Sequence, residues 1–227
     1  SYPPANYFHD KYGEKEFIDD IIESNKKGPE NVSLYIHIPF CNRICHYCGC
    51  NSMKIRDEIF TLSYLEAIKK ELMMFRKLVS KNRKVSQIHW GGGTPNSLAA
   101  SNVSNIMRLI RNEFDILDAA EIAIECNPAL LNEQYIDSLF HDGFNRISLG
   151  VQDFNIDILQ AVNREIPEKS IDELMSYIRK TGKMKVNLDF IYGLPFQNPD
   201  SFKKTIQRAA SLKPDRLVTF SYAHVPW

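Results

Sequence analysis

The chain has 227 residues, 44% of them hydrophobic and 25% charged, and its 28 basic side chains balance its 28 acidic ones. This composition is typical of a globular protein and argues against intrinsic disorder, and the neutral balance argues against a generally basic nucleic-acid binder. No apolar run reaches the roughly 18 residues that a membrane helix needs, and no secretory signal is visible. The chain starts at Ser1 and stops at Trp227, so we expect residues to be missing at one or both ends.

Helical and strand patterns alternate along the chain. Residues Gly13 to Lys27 carry apolar side chains at helical spacing and predict a short amphipathic helix. Six strands are then predicted at Ser33 to Pro39, Val85 to Trp90, Glu121 to Cys126, Arg146 to Gln152, Lys185 to Tyr192 and Arg216 to Tyr222. Helices are predicted between them at Glu58 to Leu78, Ser101 to Phe114, Asn132 to His141, Ile156 to Val162, Glu168 to Lys180 and Asp200 to Leu212.

The expected helix N-caps are Ser101 for one helix and either Asp200 or Ser201 for the last. The stripe from Leu62 to Phe75 is expected to face the core. Repeated strand–helix units require right-handed crossovers and a parallel sheet. Two parallel arrangements remain open at this point, an open doubly wound sheet and a barrel or part of one.

In either arrangement, functional side chains lie at the carboxyl ends of the strands. The residues that close or follow the predicted strands are therefore expected to meet at one rim. They are a cysteine-rich loop after the first strand, Gly91 to Pro95, Glu125, Gln152, Asp189 and Tyr222 to His224. His37 and His89 lie within strands and are interpreted as hydrogen-bonded core residues rather than ligands.

Four of the five cysteines lie between Cys41 and Cys50, whereas a disulfide framework would spread them along the chain. This clustering indicates a metal or cluster site in a reducing cytoplasm. Cys41, Cys45 and Cys48 place three thiolates within eight residues, a set that would leave one iron of a cubane cluster open for catalysis. The alternative is a structural four-cysteine zinc site that includes Cys50. The remaining cysteine, Cys126, is expected to be buried in a strand.

Four motifs carry a resemblance to a known family. The segment YIHIPFCNRICHYCGC at residues 35–50 resembles the signature loop of the radical S-adenosylmethionine (SAM) superfamily. Together with HWGGGTP at 89–95, GFNRISLGVQDF at 143–154 and DFIYGLP at 189–195, it resembles the oxygen-independent coproporphyrinogen III dehydrogenase (oxidase) family. The similarity runs along the whole chain.

The resemblance implies an α/β fold, a three-quarter (β/α)6 partial TIM barrel with parallel strands. Residues 1–32 would form an N-terminal segment with a short helix, and residues 33–227 the radical SAM domain. The family continues into a C-terminal domain that is absent from this chain. We therefore expect cluster and SAM binding from the chain by itself, and doubt that it completes turnover.

The resemblance also implies the cofactors and their ligands. Cys41, Cys45 and Cys48 would hold a [4Fe–4S] cluster, and one SAM molecule would bind the fourth iron. The family holds two SAM molecules. The first would contact Tyr35, Gly92 and Glu125, and the second would contact Tyr47, Gly93, Thr94, Gln152, Arg164, Asp189 and Ala223. Cys50 and His224 are candidates for roles near the site; Cys50 is not expected to bind iron, and His224 is expected to face the substrate.

The activity implied is oxidative decarboxylation of two propionate side chains of coproporphyrinogen III, which gives the vinyl groups of protoporphyrinogen IX in haem biosynthesis. The partners implied are the tetrapyrrole substrate and a low-potential one-electron donor such as flavodoxin or ferredoxin, with no nucleic acid, no membrane and a monomeric chain. The related radical SAM haem chaperone remains an alternative, since Tyr47 stands where the dehydrogenase often has Phe. A radical SAM enzyme that acts on another tetrapyrrole also remains open, as does a structural zinc-binding module.

Overall fold

The structure is a computed structural model that describes residues 9–180, 182 and 184–223. These residues form a six-stranded sheet and a small two-stranded ribbon. The strands of the large sheet are β1 (Val32–Ile38), β4 (Val85–Gly92), β5 (Ile116–Cys126), β6 (Arg146–Gln152), β7 (Lys185–Tyr192) and β8 (Arg216–Ser221). The ribbon pairs β2 (Phe40–Cys41) with β3 (Met53–Lys54).

The described residues form seven helices, of which the first precedes β1 and the other six lie between strands. The helices are α1 (Glu14–Lys27), α2 (Glu58–Leu78), α3 (Ala100–Glu113), α4 (Glu133–His141), α5 (Ile156–Ala161), α6 (Ile171–Lys180) and α7 (Pro199–Ser211). Short 3-10 turns follow β4 at Pro95–Ser97 and β5 at Pro128–Leu130. No described helix is both long and apolar enough to cross a membrane.

The strand order decides between the two parallel arrangements. All neighbouring strands of the large sheet are parallel, and they follow one another in chain order from β1 to β8. A doubly wound sheet reverses its order at a switch point, and this sheet has no reversal. Right-handed crossovers then place every helix on the same face, so the sheet curls into a barrel. Because β1 and β8 are its two edges, the barrel is partial, as predicted.

The two faces of each strand have different surroundings. On β1 the residues Val32, Leu34, Ile36 and Ile38 are buried and belong to one apolar cluster with α2 residues such as Leu65. The alternate residues of β1 point to the inner face of the barrel, and Tyr35 is 58% exposed there. The packed core therefore lies between sheet and helices, and the inner face is free to line a cavity.

Several local predictions need correction. The N-cap of α3 is Ala99 rather than Ser101, and α7 is capped by Asn198, whose side chain accepts from the backbone N–H of Ser201. Proline at the first position of α7 fixes that start one residue before Asp200. Leu62 is 44% exposed, and the buried residues of α2 are Thr61, Leu65, Ile68 and Leu72 instead.

Element boundaries shift in three further places. The first strand, predicted over Ser33 to Pro39, runs from Val32 to Ile38. The strand β5 begins at Ile116, five residues before the predicted start, and α6 begins at Ile171 rather than at residue 168. The reason for the later start of α6 is a reciprocal capping pair, in which the backbone N–H of Ser170 donates to Glu173 and that of Glu173 to Ser170.

Candidate active site

The carboxyl ends of the strands surround a cavity of about 420 Å³. Every residue predicted to bind the cluster or SAM lines this cavity, except Tyr35. The lining residues from that set are Cys41, Cys45, Tyr47, Cys48, Gly92, Gly93, Thr94, Glu125, Gln152, Arg164, Asp189 and Ala223, and Cys50 lines it too. His224 lies outside the described residues.

The cysteine loop is fixed at both ends by backbone contacts. The β2–β3 ribbon holds its start and finish together, and the N–H of Ile55 donates to the carbonyl of Cys41 at 2.9 Å. Its middle rests on the segment after α5, where the N–H of His46 donates to the Val162 carbonyl at 3.0 Å. The Asn163 side-chain amide also donates to the Ile44 carbonyl at 2.9 Å. The loop is therefore positioned over the cavity by residues more than 100 positions away in sequence.

Each of the three predicted ligand thiols has a different polar neighbour. Cys41 Sγ lies 3.2 Å from Thr94 Oγ1, and Cys45 Sγ lies 3.7 Å from a guanidinium nitrogen of Arg164. A hydrogen bond between the Cys48 and Cys50 thiols lowers the pKa of Cys48 and raises that of Cys50. Burial raises the pKa of Cys41.

These thiols are not arranged around one ion. Among residues 9–180, 182 and 184–223, no three His, Cys, Asp or Glu side chains are placed to hold a single metal ion. In a [4Fe–4S] cluster each thiolate binds a different iron, so three separated thiols on one cavity wall suit a cluster. A zinc ion would need its ligands to converge tetrahedrally. The donor set, three cysteine thiols on one cavity wall, is one that can hold a [4Fe–4S] cluster with its fourth iron open.

The glycine motif after β4 passes close to the cysteine loop. Gly92 has a φ of 112°, and a Cβ at that position would lie 2.6 Å from His37 Cε1. A Cβ on Gly93 would lie 2.7 Å from the Pro39 carbonyl oxygen and 3.0 Å from Cys41 Sγ. Both positions are therefore restricted to glycine, and the exposed backbone forms one wall of the cavity.

Three carboxylates and two guanidinium groups line the cavity, those of Glu125, Glu165, Asp189, Arg43 and Arg164. Burial raises the pKa of Asp189 to about 6, and the negative charge of Glu125 adds to that shift. Arg164 donates to the Gly150 carbonyl at 2.6 Å and so keeps its guanidinium at the wall. The Tyr47 hydroxyl is buried without a hydrogen-bond partner. Such a cavity suits a ligand that carries cationic groups, a carboxylate and further polar atoms, as SAM does.

Gln152 and Asp153 are neighbours in the same motif but have different roles. Gln152 lines the cavity with a φ of 68°, at a point where the register between β6 and β7 shifts. The next residue, Asp153, is 2% exposed and accepts hydrogen bonds from Gln197 Nε2 at 2.6 Å and from Thr205 Oγ1 at 3.3 Å. Asp153 therefore ties the loop to α7 and its flanking turn, while Gln152 faces the cavity.

Tyr35 and the two strand histidines lie beside the cavity rather than in the core. The ring of Tyr35 stacks on His89 with centroids 5.8 Å apart, and its hydroxyl lies 3.2 Å from His37 Nδ1. His89 Nε2 lies 2.9 Å from Glu125 Oε1. The histidines are hydrogen-bonded, as predicted, but the prediction that they are core residues is wrong because both lie on the inner face of the sheet.

Sequence reasoning missed four residues that line the cavity, Asn127, Ser148, Asn163 and Glu165, whereas Tyr222 lines it as expected. Asn127 and Ser148 could have been found, since Asn127 directly follows β5 and Ser148 shares the inner face of β6 with Gly150. Asn127 Nδ2 donates to Glu165 Oε2 at 2.7 Å, a contact across 38 residues that no local pattern signals.

Comparisons with known proteins agree with this arrangement. The sequence model of the radical SAM superfamily matches residues 35–209. The chain is 43% identical over 227 residues to the oxygen-independent coproporphyrinogen III oxidase of Escherichia coli and 42% identical over 228 residues to that of Synechocystis. Each match covers the whole of this chain and 49% or 48% of the relative, so the chain spans about half the length of the curated relatives it matches.

A solved structure gives the same result in three dimensions. The E. coli coproporphyrinogen III oxidase (HemN), described as a radical SAM enzyme, superimposes with a TM-score of 0.91 at 42% identity. The match covers 100% of this chain and 51% of that one. The family model matches most of the chain, and the parallel partial barrel with three thiols at its rim agrees with that match. The chain therefore belongs to the radical SAM superfamily.

Proposed function

We propose that this chain is the cluster- and SAM-binding part of an oxygen-independent coproporphyrinogen III oxidase. The observation that carries the proposal is the convergence of three cysteines, a side-chain-free glycine wall and two carboxylates on one cavity. The 36–43% identity to curated relatives with that name supports the substrate class, since it extends over the whole chain.

Cys41, Cys45 and Cys48 would hold the [4Fe–4S] cluster, and the fourth iron would be left for SAM. Cys50 is exposed at the cavity edge, and in this proposal it binds no iron. When bound, the reduced cluster and SAM supply a 5′-deoxyadenosyl radical that takes a hydrogen atom from a substrate propionate. The substrate radical would then lose CO2 and pass one electron to an external one-electron acceptor, which would leave the vinyl group.

The chain's own residues would bind and orient SAM. The Glu125 carboxylate suits an ammonium or ribose hydroxyl group of the first molecule, beside the backbone of Gly92. A second SAM molecule would use the remaining wall, where Arg164 can pair with a carboxylate. The other contacts proposed for it are Tyr47, Gly93, Thr94, Gln152, Asp189 and Ala223.

The proposal includes the partners and the compartment. A tetrapyrrole would approach the open mouth of the cavity, and a low-potential one-electron carrier such as flavodoxin or ferredoxin would reduce the cluster. We propose a monomer in a reducing cytoplasm, a compartment consistent with five free cysteines.

The test is anaerobic reconstitution with iron and sulfide, followed by dithionite and SAM with and without coproporphyrinogen III. Mass spectrometry would follow 5′-deoxyadenosine and the doubly decarboxylated product. We expect an iron–sulfur cluster and 5′-deoxyadenosine that increases when substrate is added. The control is the same preparation of Cys45→Ala, which should produce no 5′-deoxyadenosine.

The outcomes separate the candidate functions. A doubly decarboxylated product would establish the oxidase. Deoxyadenosine without a porphyrin product would favour the haem chaperone or another tetrapyrrole substrate. It would also be the result if turnover needs residues that are not in this chain. Bound zinc without iron or deoxyadenosine would contradict the proposal.

A further inference from the structure

A column of polar side chains on the inner face of the barrel connects the cysteine loop with Glu125. His37 Nε2 lies 2.8 Å from the carbonyl oxygen of Asn51, and Tyr35 Oη lies 3.2 Å from His37 Nδ1. The Tyr35 ring stacks on His89 with an interplanar angle of 13°, and His89 Nε2 lies 2.9 Å from Glu125 Oε1. The column thus runs from the loop that would hold the cluster to a carboxylate on the cavity wall.

The chemistry of the partners fixes the direction of two of these hydrogen bonds. A backbone carbonyl only accepts, so His37 Nε2 donates to Asn51. The Glu125 carboxylate only accepts as well, so His89 Nε2 is the donor. His89 therefore presents an N–H group to Glu125 in its neutral and in its charged form.

Strand register explains why His89 can reach Glu125. In the sheet Tyr35 pairs with His89 across β1 and β4, and His89 pairs with Ala123 across β4 and β5. Glu125 lies two residues beyond Ala123 on the same face, one step closer to the rim. Gly91 lies two residues beyond His89 on β4, and a Cβ on it would lie 3.0 Å from Glu125 Oε1. The missing side chain therefore leaves room for the Glu125 carboxylate.

This arrangement fixes the Glu125 side chain from two sides. The carboxylate lies against the backbone of Gly91, which has no side chain. One carboxylate oxygen accepts a hydrogen bond from His89, whose imidazole stacks on the ring of Tyr35. The side chain of Glu125 still lines the cavity, with 45% of its surface exposed. A free glutamate would lose rotamer freedom when a ligand binds, whereas a carboxylate held in advance loses less.

We propose that His89 is a positioning residue that holds the Glu125 carboxylate toward the cavity for the ammonium or hydroxyl groups of SAM. The inference rests on the proposed function, which assigns SAM to this carboxylate. His89 itself touches neither the cluster thiols nor the ligand, and it acts through Glu125. Tyr35 acts one step further out, by keeping the imidazole plane parallel to its own ring.

The test measures SAM affinity by equilibrium dialysis on the reconstituted protein, together with its iron content. We expect His89→Leu to bind SAM about tenfold more weakly at unchanged iron content, since preorganisation is lost and the iron ligands are intact. His89→Gln places an amide N–H near the former Nε2 and should restore most of the affinity. In a Glu125→Ala background, His89→Leu should cause no further loss.

If His89→Leu fails to take up iron, His89→Asn replaces it, because the shorter amide does not reach Glu125. Equal losses of SAM affinity in His89→Gln and in His89→Leu or His89→Asn would overturn the inference. A tenfold loss of SAM affinity on adding His89→Leu to Glu125→Ala would overturn it as well. Unchanged affinity in His89→Leu, with SAM bound by the wild type, would overturn this inference alone. Absence of SAM binding to the wild type would overturn the proposed function and the inference with it.

Discussion

Glu125 on β5 and Asp189 on β7 line the same cavity with one strand between them, and the charge of Glu125 disfavours ionisation of Asp189. Burial is the larger cause of this effect, and together they raise the pKa of Asp189 to about 6. A protein gains no stability from placing two carboxylates in this way. The arrangement is explained if a cationic ligand belongs between them.

The first prediction concerns stability without ligand. Because the folded pKa of Asp189 lies above its ordinary value of 3.8, the native state binds the proton more tightly, and stability falls as the pH rises from 3.8 to about 6. Asp189→Asn removes this cost. Thermal unfolding of the cluster-free chain near neutral pH should show a gain of at most about 3 kcal/mol, which disappears below pH 3.8. A gain that is independent of pH would contradict the assignment.

The same substitution should weaken SAM binding. If Asp189 pairs with a charged group of SAM, Asp189→Asn should cost about 1–3 kcal/mol of binding free energy. Equilibrium dialysis on the reconstituted protein measures it, with Asp118→Asn on the outer part of β5 as the control. A variant that is more stable and binds SAM equally well would remove Asp189 from the site.

Iron binding distinguishes the cysteines. Cys45→Ala should lose the visible absorption of the cluster and most of the bound iron, because one of three ligands is missing. Cys50→Ala should keep both, since Cys50 is expected to bind no iron. Iron and sulfide analysis after anaerobic reconstitution measures the difference. Equal iron loss in the two variants would favour a four-cysteine site.

The glycine wall gives a prediction with a matched control. Gly92→Ala should destabilise the chain by more than the roughly 1 kcal/mol of backbone strain, because the new methyl group would meet His37 at 2.6 Å. Gly182→Ala has a similar positive φ of 67° but no atom within 4 Å, so it should cost the strain alone. Urea unfolding compares them, and equal losses would show that the close approach to His37 carries no cost.

The rim of the site could be predicted from the sequence because parallel strands collect their carboxyl ends on one edge. Glu125 and Asp189 interrupt apolar strands, and that rule alone is enough to place both of them correctly. It does not place Tyr35 beside the cavity, since period-two alternation gives the face of a strand but not the distance from its rim. The cap of α7 is ambiguous in sequence because Asn198 and two further residues with capping potential flank Pro199.

Contacts between residues that are distant in sequence could not be predicted, for a different reason. The hydrogen bond from Asn163 to Ile44 spans 119 residues, and neither segment has a periodic pattern that predicts the pairing. The two-residue strands β2 and β3 are too short to produce a strand signal, although they close the cysteine loop.

Asn163 gives the last prediction, because it joins the loop to the barrel without touching any ligand thiol. Its φ of 56° is a conformation that Asn tolerates better than most residues, and its amide donates to the Ile44 carbonyl. Asn163→Asp keeps the backbone preference and loses the donor, so it should release iron faster under a chelator, with a loss of about 1 kcal/mol in unfolding free energy. Asn163→Gly removes strain as well as the bond and serves as the second variant. If Asn163→Asp releases iron at the wild-type rate, the loop is held by the His46–Val162 backbone contact instead.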